Sequence, residues 1–405
     1  MLDIILPQGG FEDRVLYSTT HIDPPGDPRN PYPTWAELRG QPLKIVQPDP
    51  KLPPLVHLYR YRHVLDVNGD HRTYSSRGSQ GMIPLAEYNV VAIDEPEHSY
   101  YRNLITPSLG PALVTRWKET LIPEVADFLL SRFARNGRGD LVQDYTFAFP
   151  ALVMLRIIGF PQEEFEMFRS WAADISNSLA DPERGWKAAN EMVDYVRPYY
   201  EGAVTASEGS ILDALLTARP EGRRLSYEEI QSFVLELVLA GLDTTYRALG
   251  TTLMLLLDRP EILARVRQDR TLVPKAIEES LRIDGPSVVG NRVAMRDVEI
   301  DGLKIPKGTW LIPVRSSANR DPDFAPDPDT FLLDRPPLRH LAFGNGIHVC
   351  LGQHIARLEL AAAINAALDR LPNLRWDEAE KERLDPHMRG MVFRSPTSVP
   401  AAWDA

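Results

Sequence analysis

The sequence predicts a mainly α-helical chain with a smaller β portion. Two observations carry this expectation. Between about residues 95 and 260 apolar side chains recur at three- and four-residue spacing, the pattern that amphipathic helices require. From Val293 to Asn319 the pattern changes to short apolar runs broken by turn residues, as strands require.

Residues 1–60 are rich in proline (Pro24, Pro25, Pro28, Pro31, Pro33, Pro48, Pro50, Pro53, Pro54) and read as irregular, with short strands at 43–46 and 56–59. Helical periodicity covers 115–134, 149–159, 162–179 and 186–205. Residues 226–258 read as one long helix: Ser226 and Glu229 have capping-box spacing, and Pro260 closes the far end. Strands at 298–300 and 309–314 are separated by the turn pairs Asp301-Gly302 and Lys307-Gly308. A last helix covers 351–371 and stops before Pro372. With no repeat, low-complexity block or separating linker, residues 1–405 are expected to form one domain.

The net charge of −11 argues against general nucleic-acid binding, whose usual footprint is a basic surface. No apolar run is long enough to cross a membrane, and the first ten residues lack the basic start and apolar stretch of a signal peptide. The expected compartment is the cytoplasm. A single cysteine excludes an intramolecular disulfide framework.

That cysteine has an unusual setting. Most lone cysteines are small buried hydrophobes. Here Gly344, Gly346 and Gly352 surround Cys350, which suits a loop lying flat against a planar ligand better than a packed helix or strand. The strong helix pattern that follows places Cys350 at or just before a helix N-terminus, where unsatisfied N–H groups favour an anion. Such a site is expected to lower the thiol pKa and hold a thiolate, either as a nucleophile or as a metal ligand.

The middle of the long helix, Phe233 to Leu242, is apolar nearly all round, which implies burial. It is interrupted by Ala240-Gly241-Leu242-Asp243-Thr244-Thr245. A mid-helix glycine is about 1 kcal/mol less favourable than alanine. On these residues alone, Asp243 reaches the surface or pairs with a buried base, and Thr244 bonds the carbonyl four residues back.

The pattern Phe343-x-x-Gly346-x-x-x-Cys350-x-Gly352, followed by Gln353-His354-x-Ala356-Arg357, resembles the haem-binding signature of the cytochrome P-450 family. The resemblance implies that family's fold, with haem b between the long central helix and the cysteine loop and helix. It implies Cys350 as the axial iron ligand, a thiolate that promotes O–O cleavage. Phe343, Gly344, His348 and Gly352 become cofactor contacts. Residues 240–245 resemble the family's oxygen-binding groove, so Ala240 and Gly241 would line the haem. Thr244 would hydrogen-bond dioxygen or a nearby water, and Asp243 would serve the proton relay, since O–O heterolysis consumes protons at a dry site.

Glu279 and Arg282 share one helical face, as do Glu166/Arg169, Glu221/Arg224 and Glu380/Arg383, which read as solvated pairs. The position of Glu279/Arg282 ahead of the β portion resembles the family's structural Glu-x-x-Arg, with Arg335 as the third member. His98 and Arg102 resemble the family's His-x-x-x-Arg, and with Arg292 and His348 they would meet the haem propionates.

The resemblance implies a haem-thiolate monooxygenase that inserts one atom of O₂ into a hydrophobic small molecule, by hydroxylation or epoxidation. The pocket would draw on the 76–93 loop, Leu237, Ala240, 287–290 and 390–393, with Met82, Ile83, Val288, Val289 and Val392 among its apolar members. No reductase segment is recognised, so electrons are expected from a separate ferredoxin-type protein. Arg102, Arg339, His340 and Arg357 are the candidate basic patch for it. A monomer is the default. A peroxide-driven haem-thiolate enzyme is the nearest alternative. A haem-binding sensor without turnover is disfavoured by the Asp243/Thr244 pair. A cysteine hydrolase or transferase using Cys350 with His348 or His354 would leave Thr244, Arg292 and the Glu279/Arg282 placement unexplained.

Overall fold

In the computed structural model, which describes residues 20–81, 85, 87–110, 117–176, 178 and 181–405, the longest element is the helix Tyr227–Leu257. The Ser226 hydroxyl accepts from the Glu229 N–H, and the Glu229 carboxylate accepts from the Ser226 N–H, so the capping box is complete. At 31 residues the helix spans roughly 45 Å. Helices Ala148–Ile158, Phe165–Ser176, Val273–Asp284 and Gln353–Arg370 all pack against it. Phe149, Leu152, Phe168, Phe233, Leu249, Ile277 and Ile364 lie in the one large apolar cluster these helices build. Each such side chain contributes about 1.5–3 kcal/mol by leaving water.

The main sheet has four strands. Leu55–Leu58 runs parallel to Trp310–Pro313, which pairs antiparallel with Arg292–Ala294, and Tyr74–Ser75 adds the far edge. Strand side chains alternate between faces. Leu55 and Ile312 enter a cluster with Trp35 and Val288, while Val56, Leu58 and Leu311 enter another with Val64 and Ile305. Both faces are therefore buried. Val298–Ile300 and Leu303–Ile305 form a hairpin around Asp301 and Gly302, whose φ angles of +48° and +81° suit its tight two-residue turn.

Several expected boundaries shift. The proline-rich opening contains a helix, Tyr32–Arg39, that was not anticipated; Pro33 stands in its first turn, where a missing N–H is tolerated. The strand expected at 43–46 reduces to a bridge between Val46 and Leu55, and Ile45 and Val46 remain exposed. The helix expected over 115–134 is regular as Leu121–Phe133, and residues 115 and 116 lie outside the described residues. The 162–179 segment opens as a 3-10 turn before the helix Phe165–Ser176, with residues 177 and 179 outside the described set. The helix expected from 186 runs Pro182–Glu201, and Gly202 ends it with φ +80°. Among the described residues no helix is long and apolar enough to cross a membrane.

Candidate active site

Cys350 stands just ahead of the helix Gln353–Arg370, whose N-cap is Gly352. Its N–H donates to the Phe343 carbonyl at 2.9 Å, and the Val349 N–H donates to Gly346 at 3.2 Å. Gly344 and Gly346 have φ +68° and +74°, a region that strongly favours glycine. A Cβ on Gly346 would lie 2.6 Å from the Asn68 carbonyl oxygen, so the loop closes on the end of helix Tyr61–Gly69 only because that atom is missing. Gly352 differs: its φ is −82°, and a Cβ there would touch only Ile355, at 3.7 Å. Among the described residues no contact or backbone conformation demands glycine at 352.

Cys350 is accessible, yet protein surrounds it closely enough that burial dominates its acidity. The expected lowering of its pKa does not result. Burial pushes the thiol up, against the Gly352 N–H and the cations Arg102, Arg357 and Arg315. Coordination to a metal would reverse that balance, because a bound cation deprotonates a thiol outright.

Around this loop gather the predicted bases. Arg102 donates to the Val349 carbonyl at 2.8 Å, tying helix Glu97–Ile105 to the cysteine loop. His98 and His348 meet ring to ring with centroids 4.4 Å apart. Burial, reinforced by Arg292 and His98, pushes His348 down to about 2, and burial also lowers His98. Among the described residues His98 Nε2 is buried without a hydrogen-bond partner. Arg292 donates to the Asn291 carbonyl at 2.7 Å, and burial brings its guanidinium down to about 10 against the opposing pull of Asp94. Buried bases that oppose one another's charge, with an orphaned ring nitrogen among them, fit a dianionic group such as the two propionates of a haem.

On the long helix, Ala240 is exposed and Thr244 half-buried, whereas Leu237, Val238, Leu242 and Asp243 are buried. The 240/244 face thus opens out of the core. Thr244 Oγ1 donates to the Ala240 carbonyl at 2.8 Å. Arg247 donates from Nε and Nη2 to the two Asp243 oxygens at 3.1 and 3.0 Å. The local pairings read from the residues alone are therefore present. Gly241 has its own reason: a Cβ would meet Met154 at 2.7 Å, so glycine lets helix Ala148–Ile158 close on the long helix. One turn earlier, Glu236 accepts from the Val90 N–H at 2.9 Å, and burial raises its carboxyl to about 7.

Glu279, Arg282 and Arg335 come together. Arg282 donates twice to Glu279 at 2.8 Å, and Arg335 Nε donates at 2.9 Å. Burial alone would raise the Glu279 carboxyl, but Arg282, the Leu332 N–H and Arg335 together hold it below the ordinary range. The arginines then reach the carbonyls of Asn319, Pro328, Thr330 and Asp327, fastening the loop ahead of the cysteine. Of the look-alike pairs, Glu166/Arg169 and Glu380/Arg383 form; Arg224 instead donates to the Tyr200 carbonyl.

Two members of the expected basic patch share one carboxylate. Arg357 donates to both oxygens of Glu278 at 2.7 and 2.9 Å, and His340 meets the same carboxylate at 3.0 Å. Burial would raise Glu278, but those two partners bring it down to about 2. Arg357 also lies 4.3 Å over the Phe343 ring. With Arg102 held by Val349, only Arg339 of the four is an exposed cation without such a tie.

Of the predicted pocket residues, Val288 donates its N–H to the Val392 carbonyl at 2.9 Å, which unites two of the segments. Val288 and Val289 are buried in the cluster of Trp35 and Ile312, with Val392 half-buried against it. Leu237 belongs to the main helical core. Met82 and Ile83 lie outside the described residues. Sequence reasoning missed Arg247, Glu278, Glu236 and Arg315. Arg247 had a signal in its i+4 spacing from Asp243. Arg315 had one too, as a lone charge at the end of the apolar run Trp310–Val314.

Residues 183–398 match the cytochrome P-450 family model. The chain is 33% identical to cyclomarin C epoxidase CymV of Salinispora arenicola over 331 residues, 78% of this chain and 83% of that protein. It is 32% identical to vitamin D3 dihydroxylase of Streptomyces griseolus over 315 residues, 77% of each. Among solved structures it resembles the post-tailoring hydroxylase HmtN of himastatin biosynthesis, with TM-score 0.78 and 30% identity over 92% of this chain and 96% of that one. It also resembles PksS of the Bacillus subtilis bacillaene polyketide synthase, with TM-score 0.85 and 26% identity over 93% and 98%. The chain belongs to the cytochrome P-450 family. It is an oxidoreductase of the monooxygenase type that uses haem, O₂ and a small-molecule substrate.

Proposed function

We propose that this protein, working as one monomeric haem domain, inserts one oxygen atom from O₂ into a hydrophobic small molecule by hydroxylation or epoxidation. Electrons come from a separate ferredoxin-type protein. The observation that carries the residue assignment is the Cys350 loop: an accessible thiol beside the Gly352 N–H, with the cations Arg102, Arg315 and Arg357 acting on it. Haem, when bound, supplies the activation of dioxygen and the transfer of its oxygen atom.

The protein's own groups have distinct tasks. Cys350 would hold the haem iron through its sulfur, with the loop fixed by the bond from its N–H to the Phe343 carbonyl. His98, Arg102, Arg292 and His348 receive the propionates. Phe343, Gly344 and Gly352 on the cysteine loop, and Ala240 and Gly241 on the long helix, would contact the haem when it is bound. Thr244 Oγ1 gives its hydrogen to the Ala240 carbonyl and keeps its lone pairs for a proton donor. Asp243, held by Arg247, is the acidic group that passes protons toward Thr244. Leu237, Val288, Val289 and Val392 form the apolar surround that excludes water. Glu279, Arg282 and Arg335 fasten the fold behind the cysteine loop.

The names of the relatives CymV and the vitamin D3 dihydroxylase support epoxidation and hydroxylation as the reaction types. The test is turnover of a bound apolar substrate under isotopically labelled dioxygen, with added ferredoxin, ferredoxin reductase and NAD(P)H. One labelled oxygen atom per product is expected. Product formed only with added peroxide would replace this reading with a peroxygenase.

A further inference from the structure

Arg315 opens the short helix Arg315–Ala318, one residue (Val314) beyond the strand Trp310–Pro313, and it turns back over the loop 287–290. That loop is stitched beneath it: the Gly290 N–H donates to the Pro313 carbonyl at 2.9 Å, and the Ser316 N–H donates to Val288 at 3.3 Å. The guanidinium donates from Nε to the Ser287 carbonyl at 3.3 Å and from Nη2 to the Ser287 hydroxyl at 2.6 Å. Nη2 also reaches the Val289 carbonyl. Every one of these acceptors is neutral. Nη1 runs along Gly290, 3.4 Å from where a Cβ would stand, and makes no hydrogen bond among the described residues.

The charges around it are unbalanced. The groups acting on Arg315 are Arg292, which repels it, and the Cys350 thiol. Arg292 in turn feels Asp94, whose oxygens are taken by the Ser75 hydroxyl and the Ser76 N–H. Two neighbouring guanidinium groups, Arg292 buried and Arg315 half-buried, with no carboxylate between them among the described residues, are costly to hold. A planar fork with a free edge is the geometry that receives a carboxylate.

We propose that Arg315, with Arg292 beside it, binds a carboxylate of a molecule seated next to Cys350. This rests on the haem-thiolate reading above. Two sources share that chemistry: a propionate of the haem, or the acid group of a substrate. In either case Ser287 and Val289 hold the fork in place, and Gly290 leaves room for Nη1.

The experiment uses holoprotein of the wild type and of Arg315→Leu, Arg315→Lys and Ser287→Ala. A red-shifted Soret band of the reduced carbon monoxide complex in the wild type secures the haem-thiolate reading separately. Haem transfer to apomyoglobin and spin-state titrations with a fatty acid and its methyl ester are then measured. If the ligand is a propionate, Arg315→Leu loses haem about tenfold faster, and Arg315→Lys and Ser287→Ala, which loosens the fork but keeps its charge, both lie between it and the wild type. If it is a substrate acid, haem loss is unchanged, and the wild type prefers acid to ester by about tenfold. Arg315→Leu then loses that preference. No change in either quantity, or equal effects of Ser287→Ala and Arg315→Leu, would overturn the proposal, the latter by reducing Arg315 to a loop fastener.

Discussion

Asp243 and Arg247 form a two-point ion pair inside the long helix, at 3.1 and 3.0 Å. Arg247 is wholly buried and also donates to the Ser395 hydroxyl at 3.2 Å. The pair joins the helix segment that carries Thr244 to the strand Ser395–Pro396. Removing one partner leaves the other charge buried alone. Arg247→Leu is therefore expected to lose about 3–5 kcal/mol of stability, read by urea unfolding. A loss below about 1 kcal/mol would mean that the pair is solvated in the working protein.

Thr244→Ala removes a hydroxyl, not a core contact, because Thr244 is only half-buried and its bond runs to its own helix. Its melting temperature should stay close to that of the wild type. Peroxide released per electron consumed should rise. Tight coupling in this variant would count against the role given to Thr244.

Glu279 gives a pH dependence of known sign. Its carboxyl is held below the ordinary range by Arg282, the Leu332 N–H and Arg335, which outweigh burial. A depressed folded-state pKa contributes stability that is present above the unfolded value and lost as pH falls through the folded one. Glu279→Gln should therefore be less stable than the wild type by about 3–5 kcal/mol at neutral pH. That gap should narrow as pH drops below about 4, followed by thermal unfolding across the acid range. A gap independent of pH would assign the loss to packing.

Gly346→Ala tests the cysteine loop. The added carbon would stand 2.6 Å from the Asn68 carbonyl, and the backbone has φ +74°. Backbone cannot swing aside as a side chain can, so holoprotein yield and haem retention should both fall. Gly352→Ala, free of protein clash, should fold normally and show its effect only in haem binding.

The long helix, its capping box and the cysteine helix were legible because each rests on local rules: side-chain spacing, a Ser/Glu pair, and a run of good helix formers. The Tyr32–Arg39 helix was not, because Pro31 and Pro33 read as breakers although proline suits a first turn. Glu279, Arg282 and Arg335 were placed by resemblance, since identical local spacings elsewhere form no such triad. The acidity of Cys350 was misread because helix-end chemistry is local, whereas desolvation depends on everything packed around the sulfur. For the same reason Arg357 and His340 looked free. Their partner Glu278 belongs to another helix, and no spacing rule joins them.

The assignment of Cys350 as the axial ligand is tested most directly by the absorption spectrum of dithionite-reduced protein under carbon monoxide. The wild type should show a strongly red-shifted Soret band, and Cys350→Ser should lose it. A band unchanged by the substitution would contradict the assignment, as would a wild-type protein that takes up no haem.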